Sequence, residues 1–194
     1  MEITEHTEIF LLYFSVNFVL SVVRAFPGPS FKRSLKTIIA HNKYLKGNTM
    51  QFTKDELDAL LSGPKPLQLA GYDLSKADLN EADLSKADLS GADLSGAFLD
   101  KARLRYADLS KANLSGSNLS KANLHGAILI EADLSDTNLR GADLSGAKLD
   151  NADLNFANLT ESNLSGADLN GAKYNAFTQW PNGFDPKEAG AVLL

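Results

Sequence analysis

Leucine stands at every fifth position from Leu69 to Leu169 without a gap, which makes 21 leucines in register. The position two residues before each Leu is small: it is Ala in 16 of the 21 units, and the departures are Leu67, Tyr72, Ser117, Thr137 and Ser162. The position just before each Leu is Asp or Asn in 16 of the 21. The two positions after Leu are mostly Ser or Asp, then Lys, Gly or Glu, so the unit reads A-(D/N)-L-S-(G/K). A period of five suits neither an amphipathic helix, which needs spacings of three and four, nor a single flat strand, which needs two. On a helix, leucines five apart would rotate by about 500° and spiral around the whole surface. The Asn, Asp, Ser and Gly content also favours turns over helix. The pattern is consistent with a chain that turns a corner every five residues. Each short side then points Leu and Ala inward and three polar residues outward, and four sides close one square coil.

This uninterrupted repeat, over about residues 65–175, resembles the pentapeptide-repeat family. The resemblance implies an all-β solenoid, a right-handed quadrilateral β-helix of about five coils with short capping helices. At a strand spacing of ~4.8 Å the rod would be roughly 25 Å long. Leu would fill the axis, and Ala would sit where the corner leaves little room. Backbone groups would pair between coils, so each coil depends on its neighbours. The Asp column could be mistaken for a metal or acid–base site. The free exchange of Asp for Asn favours a turn role instead, in which the side-chain oxygen accepts a nearby backbone N–H.

A solenoid has two open ends that need covering. Residues 50–66 supply one candidate cap. Thr53-Lys54-Asp55-Glu56 is a capping box with Thr53 as N-cap and Glu56 at N3. Leu57, Leu60 and Leu61 line one face, Gly63 and Pro64 stop the helix, and the helix should lie over the first coil. The repeat proper runs over 67–174. Residues 175–194 supply the second cap, where Tyr174, Phe177, Trp180 and Phe184 should cluster around Pro181-Asn182-Gly183. Asp185-Pro186-Lys187-Glu188 then reads as the start of a final short helix. The string from Thr178 to Pro186 is similar to tails of cyanobacterial pentapeptide-repeat proteins.

Residues 1–49 have a different chemistry. Ile9 to Val23 form a run of 15 residues in which only Ser15, Asn17 and Ser21 are polar. Glu2, Glu5 and Glu8 precede the run, and Arg24, Lys32, Arg33, Lys36, Lys43 and Lys46 follow it. Residues 31–46 read as a basic amphipathic helix with Phe31, Leu35, Ile38, Ile39 and Leu45 on one side. One expectation is a membrane anchor through residues 9–26, with membrane contact extending to residue 46. The run is short against the ~20 residues needed to span, and the charge order would place the repeat in the cytoplasm. The other is an early-called start, with translation beginning at Met50 and a soluble cytoplasmic protein. A cleaved signal peptide ranks below both, because the leading segment is acidic.

Composition narrows the function. The 194 residues include no Cys and three His, carry a formal net charge of −5 and have a pI of about 5.2. The missing Cys removes thiol catalysis and Cys-based metal sites. The acidity argues against direct nucleic-acid binding. No cofactor or metal motif is present, and a Leu-filled axis leaves no pocket for catalysis. The reading is a non-catalytic binding or scaffold protein with an unidentified protein partner. The resemblance supplies an alternative, because some pentapeptide-repeat proteins mimic DNA and inhibit DNA gyrase. Residues 67–174 hold 16 acids and 10 bases, a mild excess for a DNA mimic.

One stretch breaks the outward pattern. Between Phe98 and Ile130 the outward positions include Phe98, Arg103, Arg105, Tyr106, His125, Ile128 and Ile130. With twenty residues per coil, Arg105 should lie under His125 and Arg103 under Asn123. Tyr106 should stand at the corner leading to Ile128 and Ile130. These seven residues should converge on two adjoining sides as a partner-binding face, since exposed aromatics with Arg are typical of binding hot spots. The competing reading is drift on a tolerant surface, with the arginines paired to Asp100 or Asp108.

Overall fold

The computed structural model describes residues 54–63 and 65–194. The apolar run at 9–26, the basic segment at 31–46, Thr53 of the capping box and Pro64 lie outside the described residues. A helix, α1, spans Lys54–Leu61 as the sequence indicates. Among the described residues no helix is long and apolar enough to cross a membrane.

From residue 67 onward the chain forms a coil with a strict period. Each residue preceding a Leu bridges in parallel to the residue twenty positions later, from Gln68 with Asp88 through to Asp153 with Lys173. Three backbone bonds per unit join successive coils. Leu89 N–H donates to Asp108 C=O at 2.7 Å, Gly91 N–H to Ser110 C=O at 2.8 Å, and Asp108 N–H to Ala87 C=O at 2.9 Å. The four sides are numbered here by their leucines. Side 1 carries Leu69, Leu89, Leu109, Leu129, Leu149 and Leu169, and sides 2, 3 and 4 begin with Leu74, Leu79 and Leu84.

The corner is a β-turn within each unit. Ala92 N–H donates back to Leu89 C=O at 3.0 Å, and the same bond recurs around the coil. Its third residue is left-handed throughout: every fifth residue from Gly71 to Gly171 has φ between 55° and 70°. A single positive φ at that place is the signature of a type II turn. Nine of the 21 such positions are Gly, and the other twelve, including Lys76, Tyr106 and Phe156, hold the conformation against its steric cost.

The turn also explains the Asp/Asn position. At all 16 units that carry one, its Oδ1 accepts the N–H of the residue after Leu, as in Asp133 to Ser135 at 2.9 Å and Asn113 to Ser115 at 3.1 Å. Asp and Asn serve equally because each offers a carbonyl-type oxygen two residues before the free N–H.

Leu and Ala form the core, and every repeat Leu from Leu84 to Leu159 is 0% exposed. Two polar residues in the Ala slot show what that slot tolerates. Buried Thr137 turns its hydroxyl onto Leu114 C=O at 2.9 Å, whereas the Ser117 hydroxyl is buried without a partner.

The C-terminal end departs from expectation twice. Tyr174, Trp180 and Phe184 do cluster, with ring centroids 5.4 and 5.3 Å apart. Phe177 does not join them; it is 69% exposed and stacks on Phe156 at 5.5 Å. The reason is one inserted residue. Asn158 bridges Gln179, twenty-one positions on, so the last corner swells and turns Phe177 outward. In place of a final helix, residues 186–190 form a single run of turns. Asp185 caps it through the N–H groups of Lys187 and Glu188 at 2.9 and 3.3 Å. Left-handed Gly190, at φ 88°, then ends it, and the chain rejoins the ladder. There β2, Val192–Leu193, pairs in parallel with β1, Lys173–Tyr174. A strand thus finishes this end where a helix was expected.

Leu119 and Leu124, both fully buried, test the axis. Leu119→Ala should cost about 2–5 kcal/mol in urea unfolding, and Leu119→Asp should abolish the cooperative transition by burying an unpaired charge. A wild-type melt for Leu119→Asp would refute the inward assignment.

Candidate functional site

The seven outward exceptions occupy three sides rather than two. Phe98 bridges Asp78 and Asn118 on side 3. Arg103 bridges Asp83 and Asn123 on side 4, and Ile128 bridges Asp108 and Lys148 on side 1. Thirty residues separate Phe98 from Ile128, which is a coil and a half at this period, so the two point from opposite sides. Ile128 and Ile130 are half-buried, whereas Phe98, Arg103, Arg105 and Tyr106 are exposed. Phe98 therefore stands apart from the rest.

What the fold does assemble lies at the corner that closes side 4. The expected stacking of Arg105 with His125 is present, with Tyr106 N–H donating to His125 C=O at 3.0 Å. The Tyr106 ring meets the His125 ring edge-on, centroids 5.3 Å apart, and its hydroxyl lies 3.1 Å from Nε2. It covers Gly126 so closely that a Cβ there would fall 2.6 Å from the ring. The Arg105 guanidinium lies 5.7 Å from the centre of the same ring. Tyr106 is thus a bulky side chain on a left-handed backbone, φ 57°, seated in the space that a glycine one coil later leaves free.

The imidazole continues the chain of contacts. His125 Nδ1 lies 2.8 Å from Ser145 Oγ, and the Ser145 hydroxyl donates to Asp143 at 2.6 Å. With that proton committed to the carboxylate, Ser145 Oγ accepts from Nδ1–H, and in the neutral ring Nε2 accepts the Tyr106 hydroxyl. The Ser145 hydroxyl, with the Ser145 N–H behind it, holds the Asp143 carboxyl below its ordinary value; His125 and Asn163 add to this. Sequence reading missed Gly126, Ser145 and Asp143. The signal was present, since Gly126 and Ser145 are each twenty residues on from Tyr106 and His125.

The two arginines differ. Arg103 reaches back one coil to Asp83 at 3.4 Å, rather than to Asp100 or Asp108, and both partners are exposed, so the pair adds little. Arg105 has no ion pair among the described residues. Charge is also unevenly shared. Sides 1 and 2 each carry five acids against two bases, side 3 carries four against three, and side 4 carries Asp83 and Asp143 against Lys86, Arg103 and Arg105. Side 4 is the one side of the four with more bases than acids.

The family model of pentapeptide repeats matches in 8 copies over residues 68–105, 99–136, 107–146 and 137–173. Among solved structures, a pentapeptide repeat protein of the cyanobacterium Cyanothece 51142 is similar at 34% identity and a TM-score of 0.49, over 58% of this chain and 87% of that one. A pentapeptide repeat protein from Nostoc Pcc 7120 is similar at 39% identity and a TM-score of 0.36, over 58% and 84%. HetL of Nostoc sp. strain PCC 7120, described as involved in heterocyst differentiation regulation, is similar at 38% identity and a TM-score of 0.37, over 53% and 57%. No curated protein matches the chain in sequence.

Two outcomes test this geometry. A folded carboxyl held below its ordinary value stabilises the fold above that value, and the contribution is lost as pH falls through the lowered one. Asp143→Asn keeps the accepting oxygen, so the acid side of its Tm–pH curve should be shallower than that of the parent. At the turns, Gly91→Ala meets nothing within 4 Å and should cost about 1 kcal/mol for the left-handed backbone alone. Gly126→Ala should cost more, and Tyr106→Gly in the same chain should recover the difference. Additivity of the two changes in urea unfolding would show that the ring does not occupy that space.

Proposed function

The chain belongs to the pentapeptide-repeat family, whose fold is the right-handed quadrilateral β-helix, and from that premise we propose that it is a non-catalytic binding or scaffold module for a protein partner. One observation carries this reading. All 16 Asp and Asn side chains of the repeat position are engaged in their own turns, and the axis is Leu and Ala. The regular surface is therefore spent on building the fold, and recognition falls to the residues that depart from it. Those departures gather at the corner of Arg103, Arg105, Tyr106 and His125, with Ile128 and Ile130 on the adjoining side. An exposed aromatic beside arginine is the usual composition of an interface anchor.

A second reading, a DNA-mimicking inhibitor of DNA gyrase, is supported by the gathering of the excess acids on adjoining sides 1 and 2. A supercoiling assay separates the two, since inhibition at micromolar protein is expected of the mimic and not of the scaffold. For the scaffold, the test is the triple change Arg105→Ser, Tyr106→Gly and Ile130→Ser, which restores repeat-like residues. Thermal stability should be retained and affinity capture of the native partner lost. Capture at the parental level would end the assignment of this face.

A further inference from the structure

The repeat has a rule for the backbone N–H that follows each Leu, and five units break it, with Gln68, Phe98, Arg103, Ile128 and Lys148 in place of Asp or Asn. After Phe98 the loss is made good, because Asn80 Oδ1 accepts the Asp100 N–H from the neighbouring coil at 2.9 Å. After Ile128 and Lys148 the free turn lies beside Glu131 and Asp150, which repel an anion. After Arg103 the setting is the reverse. The Arg105 N–H has no acceptor among the described residues. Its own guanidinium is exposed and without an ion pair, and Arg103 is held only by the exposed contact to Asp83.

Arg103, Arg105 and Tyr106 thus break the unit at three positions within four residues, and the Arg105 N–H is left without the acceptor that the unit normally supplies. Departures from a local rule without structural compensation are where function is expected. Tyr106, by contrast, is held rigidly by the space over Gly126 and by His125, and so supplies a fixed apolar wall beside the cations.

Building on the binding-module reading above, we propose that this corner takes a carboxylate from an acidic segment of a protein partner. The incoming carboxylate replaces the side-chain oxygen missing at Arg103. It accepts the Arg105 N–H and pairs with the Arg103 and Arg105 guanidinium groups, while the segment's chain lies against the Tyr106 ring. Such charge-assisted bonds are short and roughly twice as strong as neutral ones. Side 4 offers three cations, and adjoining side 1 carries five acids against two bases. A short acidic segment fits that distribution, and the extended phosphate backbone of a nucleic acid does not.

The test uses the full chain, labelled with nitrogen-15, titrated with an acetylated hexaglutamate peptide and, separately, with a double-stranded DNA dodecamer. The peptide should give a saturable downfield shift of the Arg105 amide, with smaller shifts at Tyr106 and His125. Arg105→Ser should weaken it about tenfold, the loss of one charge-assisted contact. Arg103→Asn, which restores the repeat's own acceptor, should abolish the Arg105 shift with the fold intact by circular dichroism. Shifts spread evenly over Lys101, Lys111 and Lys121 without saturation at Arg105 would overturn the proposal, as would tighter binding of the dodecamer at the same residues. A failed peptide titration alongside a triple variant that still loses its partner would refute the carboxylate and leave the binding face standing.

Discussion

One recurring turn fixes everything else in this protein. Every fifth residue from Gly71 to Gly171 is left-handed, and each such residue closes a bond from the small residue after it to the Leu before it. The corner this makes is what turns a period of five into a coil of twenty. The coil then presents the N–H groups of each layer to the C=O groups of the next, as the parallel bridges show. Leu reaches the axis only because the turn brings every Leu to the same place on its side. The cost is steric, since twelve of the 21 left-handed positions are not Gly. It is borne because the pairing of adjacent coils over-determines the backbone.

Surface chemistry follows from the same register. Residues twenty apart become neighbours, so exposed ion pairs form between coils, as in Lys101 with Glu81, Arg103 with Asp83 and Lys111 with Glu131. Each is worth little by itself. The consequence that matters is for charge. Columns of like residues accumulate on sides 1 and 2, while side 4 escapes because arginines occupy two of its outward positions. Tyr106 takes its place by the same logic, over Gly126 and against His125. The corner of Arg103 to Tyr106 is distinctive because it is built on the repeat while departing from it.

Much of this was legible in the sequence. The spacing of Leu gave the coil, and the exchange of Asp for Asn gave the turn role of that position, since a ligand or a base would need the charge and a turn acceptor needs only an oxygen. Nine glycines at the third position of the turn were a visible sign of its left-handed backbone. The sequence could not show that Lys, Glu, Asp, Tyr and Phe accept the same conformation, because that is decided by the coils above and below.

The repeat therefore determined by itself the coil, its core and the arrangement of its surface in columns, because all three follow from a local period. Only the tertiary structure decided the rest, wherever a contact crosses coils or a single residue breaks the count. One inserted residue before Gln179 sent Phe177 outward onto Phe156 instead of into the aromatic cap. The chain end returned as strand β2, where the local signals of Asp185 and Pro186 favoured a helix, because pairing with β1 takes up the C=O groups of Ala172 and Tyr174. Phe98 and Ile128 both break the outward pattern, but the count of sides between them, a coil and a half, sets them back to back rather than on adjoining sides.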